Sequence, residues 1–175
     1  MRNPDGNQSF MSLFRNVIIN SPFMHRCLCA AVVLCISASV FAQANFVLED
    51  TTGQRHALSD YKGKWVVINY WATWCPPCLE EIPDLVNLYD QRKQRDLMVI
   101  GVVFEYKNRQ EVADYVDDML MSYPIVLGNA KIAQQIGSAE VLPTTYVYDP
   151  QGRLVKIKRG PITRQYLEQL MSVSR

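Results

Sequence analysis

"WATWCPPCLEE", residues 71–81, sets two cysteines on either side of two prolines, directly after the apolar run "KWVVINYW" (64–71) and directly before a stretch with helical periodicity. A continuous apolar run of that length reads as a strand buried on both faces. Beyond the cysteines, Ile82, Leu85, Val86 and Tyr89 recur at i, i+3, i+4 and i+7, one face of a helix running to about Arg92. Pro76 and Pro77 suit the first helical positions, where a missing N–H is no loss. Pro83, inside the helix, is expected to kink it, because its ring collides with the preceding turn. The cysteine pair therefore stands where a buried strand hands over to a helix.

Working outward, "FVLEDTTGQRHAL" (46–58) reads as two short strands around a turn at Gly53, and "LMVIGVVF" (97–104) as a second buried strand. Val112, Tyr115, Val116, Met119 and Leu120 repeat a helical stripe. "YPIVL" (123–127) is a short strand, and "NAKIAQQIG" (129–137) a short helix with Asn129 as N-cap and Gly137 as stop. "TTYVYD" (144–149) is a strand, closed by Asp149-Pro150-Gln151-Gly152, whose residue types suit a type I turn. "RLVKIKR" (153–159) alternates Val155 and Ile157 against Lys156 and Lys158, as an edge strand with one wet face would. Tyr166, Leu167, Leu170 and Met171 complete an amphipathic last helix. The order predicts an α/β protein with a central sheet and helices on both faces.

At 175 residues, with 18 basic and 17 acidic side chains, the chain has the size of one domain, and its near-neutral balance builds in no general attraction to nucleic acid. Residues 1–44 stand apart. His25 and Arg26 precede the apolar stretch "CLCAAVVLCISASVF" (27–41) and then Ala42-Gln43-Ala44, the order of a secretory signal peptide. Cleavage after Ala44 is expected. The alternative is an uncleaved anchor, although a 15-residue core falls short of the roughly 20 residues that span a bilayer. The long stretch before Met24 points to a start codon at Met24 itself. Cys27, Cys29 and Cys35 leave with the segment, so the domain over 45–175 keeps Cys75 and Cys78 as its one thiol pair. Export is expected to place it in an oxidising compartment, the periplasm, where a dithiol stays reduced only if something keeps reducing it.

Several uses of such a pair compete. Structural zinc needs four ligands, and beside the two cysteines the domain has one histidine, His56, which reads better as a surface or hairpin residue; no metal site is expected. A disulfide closing a two-residue loop removes little unfolded-state entropy, so stability is a poor reason for it. Redox exchange suits the placement, since a helix N-terminus favours a thiolate. The Cys75 sulfur, as N-cap, is expected to accept the Cys78 N–H. With two prolines withholding donors and no cation between the cysteines, the Cys75 pKa should lie toward the top of the range of about 3.5 to 7.5 for such thiols, which makes a more reducing couple.

Trp71 and Trp74 read as core or as a docking surface beside the disulfide. Glu81, three residues from Cys78 on the same side of the helix, is placed to exchange a proton with that thiol, whereas Glu80 simply suits the helix dipole. Asn69 cannot titrate and reads as satisfying a backbone group. Pro143, in "VLPTTY" (141–146), reads as a trans loop proline on its own, only about 5–6% of X-Pro bonds being cis.

Together "WATWCPPC", Pro83, "LPTT" and "GPIT" resemble the thioredoxin superfamily, specifically its exported TlpA/ResA-like thiol:disulfide oxidoreductases, over essentially all of 45–175. The resemblance implies a thioredoxin-like fold with an N-terminal β-hairpin extension and an α/β insertion before the proline loop. It implies Cys75 as exposed nucleophile, Cys78 as buried resolving thiol, Glu81 in proton transfer and Pro143 in cis. Trp74, Pro76, Pro77, Leu142, Pro143 and Thr144 would then contact substrate, Leu142 offering its backbone to an extended chain. Asn69 stands where cytoplasmic thioredoxins carry a buried aspartate. The implied cofactor is none beyond the cysteine pair. The implied partners are disulfide-bearing exported proteins and a membrane electron donor, with the protein acting as a monomer. Many such proteins serve cytochrome c maturation, but "VLPTT" lacks the acidic proline loop of the dedicated haem branch. A peroxiredoxin pattern, P-x-x-x-T-x-x-C, fails at Ala72. The remaining alternatives are a disulfide-introducing oxidase or isomerase, and a redox-inactive binding or chaperone module.

Overall fold

The structure, a computed structural model, describes residues 45–173; the expected signal segment, its cleavage after Ala44 and the start at Met24 lie outside the described residues. In chain order the elements are β1 (Val47–Glu49), β2 (Arg55–Ala57), a 3-10 turn (Leu58–Tyr61), β3 (Trp65–Trp71), α1 (Pro76–Arg92), β4 (Leu97–Val103), α2 (Arg109–Asp118), β5 (Ile125–Leu127), α3 (Ala130–Ile136), β6 (Thr144–Tyr148), β7 (Leu154–Arg159) and α4 (Arg164–Val173). β1 and β2 form an antiparallel hairpin of their own. The five-stranded sheet runs β5-β4-β3-β6-β7, parallel across β5, β4 and β3 and antiparallel from β3 through β6 to β7. This is a thioredoxin-like fold: a mixed sheet with four helices, an N-terminal hairpin, and an α/β insertion of α2, β5 and α3 ahead of the proline loop.

Period-two alternation along β3, all seven of whose residues are buried, builds both faces of the sheet. Trp65, Val67 and Trp71 enter one core cluster with Ile82, Leu85 and Leu88 of α1 and Leu167 and Met171 of α4. Val66, Ile68 and Tyr70 enter the other, with Phe46 and Leu48 of the hairpin and Ile132 and Ile136 of α3. Each fully buried large aliphatic side chain contributes about 1.5–3 kcal/mol of hydrophobic transfer. Asn69 shares the parity of Val67 and Trp71, so it faces α1. Its partner in the parallel register is Gly101, where a Cβ would lie 3.1 Å from Trp71 Nε1 and 2.9 Å from Ile125 Cδ1; the glycine makes room for the indole.

Some elements depart from expectation. α1 runs to Arg92 as expected, with Pro83 inside it, but its buried stripe is Cys78, Glu81, Ile82, Leu85 and Leu88, with Val86 and Tyr89 half-buried at its margin. α2 stops at Asp118, so Leu120 leaves the stripe: its φ is +51° and it is 78% exposed. β7 has no dry face. Leu154, Val155 and Ile157 are all exposed, because β7 is the last strand of the sheet and the covering elements pack over the strands inside it. His56 is buried, with Nε2 2.9 Å from Asp50 Oδ2 and Nδ1 bonded to the Tyr61 hydroxyl, so of the surface and hairpin positions expected for it, it takes the hairpin one. Among the described residues no helix is long and apolar enough to cross a membrane.

Candidate active site

β3 ends at Trp71, and Ala72-Thr73-Trp74 carry the chain to Cys75, the extended N-cap of α1, with Pro76 and Pro77 filling the first helical positions. A disulfide joins Cys75 to Cys78. The expected bond from the Cys78 N–H to the Cys75 sulfur is replaced by one to the Cys75 carbonyl at 3.0 Å, which the Leu79 N–H shares at 3.2 Å. The sulfur is engaged in the disulfide, and the backbone oxygen is the better acceptor. Cys75 is less exposed than expected: 3% of its surface is open against 0% for Cys78, because both cysteines belong to the core cluster built on Trp71 and Ala72. Trp74 is the open face of this turn at 57% exposure, with Pro76 exposed and Pro77 half-buried beside it. Trp71 is core. Thr73 Oγ1, 3.3 Å from Glu111 Oε1, ties the turn to α2, a contact that no local pattern announces.

The Leu142–Pro143 bond is cis. Leu142 is half-buried and packs against the cluster that contains both cysteines, and Val141 before it is exposed. Thr144 does not face outward: its side chain is buried and its hydroxyl donates to the Val141 carbonyl, closing the loop from inside. Pro143, itself buried, accepts the Gly160 N–H on its carbonyl at 2.8 Å.

The same 160–164 segment reaches α1 twice more. The Ile162 N–H donates to Glu81 Oε2 at 2.7 Å and the Arg164 N–H to Asp84 Oδ2 at 3.0 Å. The "GPIT" stretch is thus a strap joining the proline loop to the cysteine-bearing helix. Glu81 is 3% exposed, and its other oxygen, Oε1, accepts from Asn69 Nδ2 at 2.6 Å. Asn69 therefore binds side chains, in place of the backbone group expected of it. Its parity on β3 aims it at α1, and its Nδ2 also donates to Thr145 Oγ1 at 3.2 Å. Burial pushes the Glu81 carboxyl from its ordinary 4.5 up to about 7; the Ile162 and Asn69 bonds and the Lys158 charge oppose the rise without cancelling it. The site therefore holds a carboxyl able to take up or release a proton near neutral pH, one helical turn beyond Cys78. Among the described residues no group of three or more His, Cys, Asp or Glu side chains is gathered closely enough to hold a metal ion.

Comparison with known proteins shows the family. Residues 42–157 match the model of the AhpC/TSA family. Thiol-disulfide oxidoreductase ResA of Bacillus subtilis (strain 168) is 34% identical over 129 residues, 74% of this chain and 72% of that protein. Among solved structures, a DsbF homologue from Corynebacterium diphtheriae is 31% identical at a TM-score of 0.67, covering 74% of this chain and 84% of that one. StoA from Bacillus subtilis is 26% identical at 0.62, covering 77% and 98%. The chain belongs to the AhpC/TSA family of thioredoxin-fold proteins, as a thiol-disulfide oxidoreductase of the TlpA/ResA-like kind.

Proposed function

We propose that the protein is an exported disulfide reductase, passing electrons from a membrane-bound donor to disulfides of proteins in the periplasm. The observation that carries the reading is the buried, nearly neutral-pKa carboxyl of Glu81 held behind a cysteine pair at a helix start. The Cys75 thiolate attacks one sulfur of a substrate disulfide; that S–S bond breaks, and its electron pair leaves on the other sulfur, which takes up a proton. Cys78 gives its proton to ionised Glu81 and attacks the Cys75 sulfur, expelling the second substrate thiolate. Two electrons have moved to the substrate, and the Cys75–Cys78 disulfide of the structure is the product. Trp74, Pro76, Pro77 and Leu142 form the contact surface, while Pro143 and Thr144 shape the loop behind it. Direction is supported by the start of α1: neither proline has an N–H and the Cys78 N–H goes to a carbonyl, so the thiolate gains little from the helix and the couple is more reducing. The signal-like order of residues 25–44 supports export.

The test is to trap the mixed disulfide. Cys78→Ala, carried through export, should retain exported cysteine-containing proteins on Cys75, and the reduced parent should cleave insulin disulfides. Absence of both, or a potential near that of a strong disulfide-introducing oxidase at about −120 mV, overturns the reductase reading.

A further inference from the structure

Glu81 has two kinds of hydrogen-bonding neighbour. The Ile162 N–H on Oε2 can only donate. Asn69, on Oε1, can do either, and so can the Thr145 hydroxyl that Asn69 in turn contacts. Asn69 Nδ2 donates both to Glu81 Oε1 and to Thr145 Oγ1, while Asn69 Oδ1, fully buried at the other end of the same planar amide, has no hydrogen-bond partner among the described residues. A half-turn about the Cβ–Cγ bond exchanges those ends.

We propose that Asn69 is a positioning residue that keeps Glu81 hydrogen-bonded in both of its protonation states by turning its side-chain amide over. With Glu81 ionised, Nδ2 donates to Oε1, the arrangement of the structure. With the proton on Oε1, the carboxylic O–H donates to Oδ1. The Thr145 hydroxyl follows, donating to Oδ1 where it had accepted from Nδ2. The amide makes the same two contacts in each state and leaves one end without a partner in each. Ile162 holds Oε2 throughout.

The physical need is specific to a buried group that titrates. A donor-only neighbour satisfies the carboxylate and leaves the acid's proton unmatched; an aspartate in place of Asn69 would accept from the acid and repel the carboxylate; in the interior such a mismatch is expensive. An amide beside a hydroxyl avoids both. The charged and titratable groups that bear on Glu81 from other elements are Lys158 of β7, whose positive charge favours the carboxylate, and the Tyr123 phenol ahead of β5, which burial pushes up so that it stays neutral. The disulfide carries no charge. The proposal rests on Glu81 as the proton-carrying group of the exchange reaction.

The experiment follows the labelled, oxidised protein by NMR from pH 5 to 9, reading the Glu81 side-chain carboxyl and the Asn69 side-chain amide. Both should move with one midpoint near 7, and the Asn69 movement should vanish in Glu81→Gln. Asn69→Leu, of the same branched outline but with neither donor nor acceptor, removes a bond from both forms, and the one lost from the carboxylate is the stronger, so the Glu81 midpoint should rise by less than about one pH unit. An Asn69 amide that stays flat while Glu81 titrates overturns the proposal, and so does a Glu81 that does not titrate in this range. Both readouts in the parent stand even if Asn69→Leu fails to fold. A pH profile of disulfide exchange that is unchanged in Glu81→Gln would instead defeat the catalytic reading of Glu81, leaving the amide coupling to be judged by NMR alone.

Discussion

Replacing Glu81 by glutamine should stabilise the oxidised protein at high pH and do little at low pH. The carboxyl holds its proton up to about pH 7 in the folded chain and only to about 4.5 when unfolded. Between those values the folded state binds a proton that the unfolded state does not, so stability falls as pH rises through the window and is level above it. At about 1.4 kcal/mol for each tenfold change in affinity, the full penalty above pH 8 is about 3 kcal/mol. The substituted glutamine carries no charge and fits the same partners, its oxygen accepting from Ile162 and its amino group donating to the turned-over Asn69 oxygen. At pH 8.5 the variant should therefore be more stable by up to about 3 kcal/mol, roughly 10 °C in Tm for a domain of this size. At pH 5, just above the unfolded value of 4.5, the gap should shrink to less than about 1 kcal/mol. Urea unfolding of both oxidised proteins by circular dichroism at the two pH values measures it. A gap of the same size at both, or a glutamine variant less stable at pH 8.5, refutes the reasoning that desolvation of Glu81 dominates.

Lys158→Ala removes a charge that favours ionised Glu81, so the Glu81 midpoint should move above its parent value, read by the same carboxyl titration. Gly137→Ala should destabilise by about 2 kcal/mol or more, seen as a lower urea midpoint: φ is +134° and the added Cβ would meet the Tyr146 ring at 2.7 Å. Asn129→Ala should lower stability by about 1 kcal/mol in the same assay, since its side chain caps α3 by accepting from the Lys131 and Ile132 N–H groups.

Much of the fold was legible because its signals are local. The continuous apolar run marks β3, the 3.6-residue stripe marks α1, and Asn129 and Gly137 bound α3 as their chemistry predicts. The Gly152 N–H closes on the Asp149 carbonyl at 2.8 Å, as the turn residues require. Where local reading failed, the cause was coverage that no local pattern specifies. β7 alternates like a half-buried strand yet lies open at the end of the sheet, where its apolar side chains stay exposed. Leu120 continues a stripe whose helix has already ended. The Thr144 hydroxyl turns back onto the Val141 carbonyl, a partner that no local pattern announces.

Residue order alone is enough to establish that two cysteines begin a helix at the end of a buried strand, that prolines withhold donors there, and that a carboxylate follows one turn later on the same side. Those are relations within a few residues, governed by helix geometry and by which residues lack an N–H. The proton affinity of that carboxylate depends on the assembled fold. Asn69 lies 12 positions away and Ile162 81 positions away, and packing of α1 against the sheet strips its water. A pKa near neutrality is the balance of that desolvation against two long-range hydrogen bonds and the Lys158 charge, and so exists only once distant segments have met.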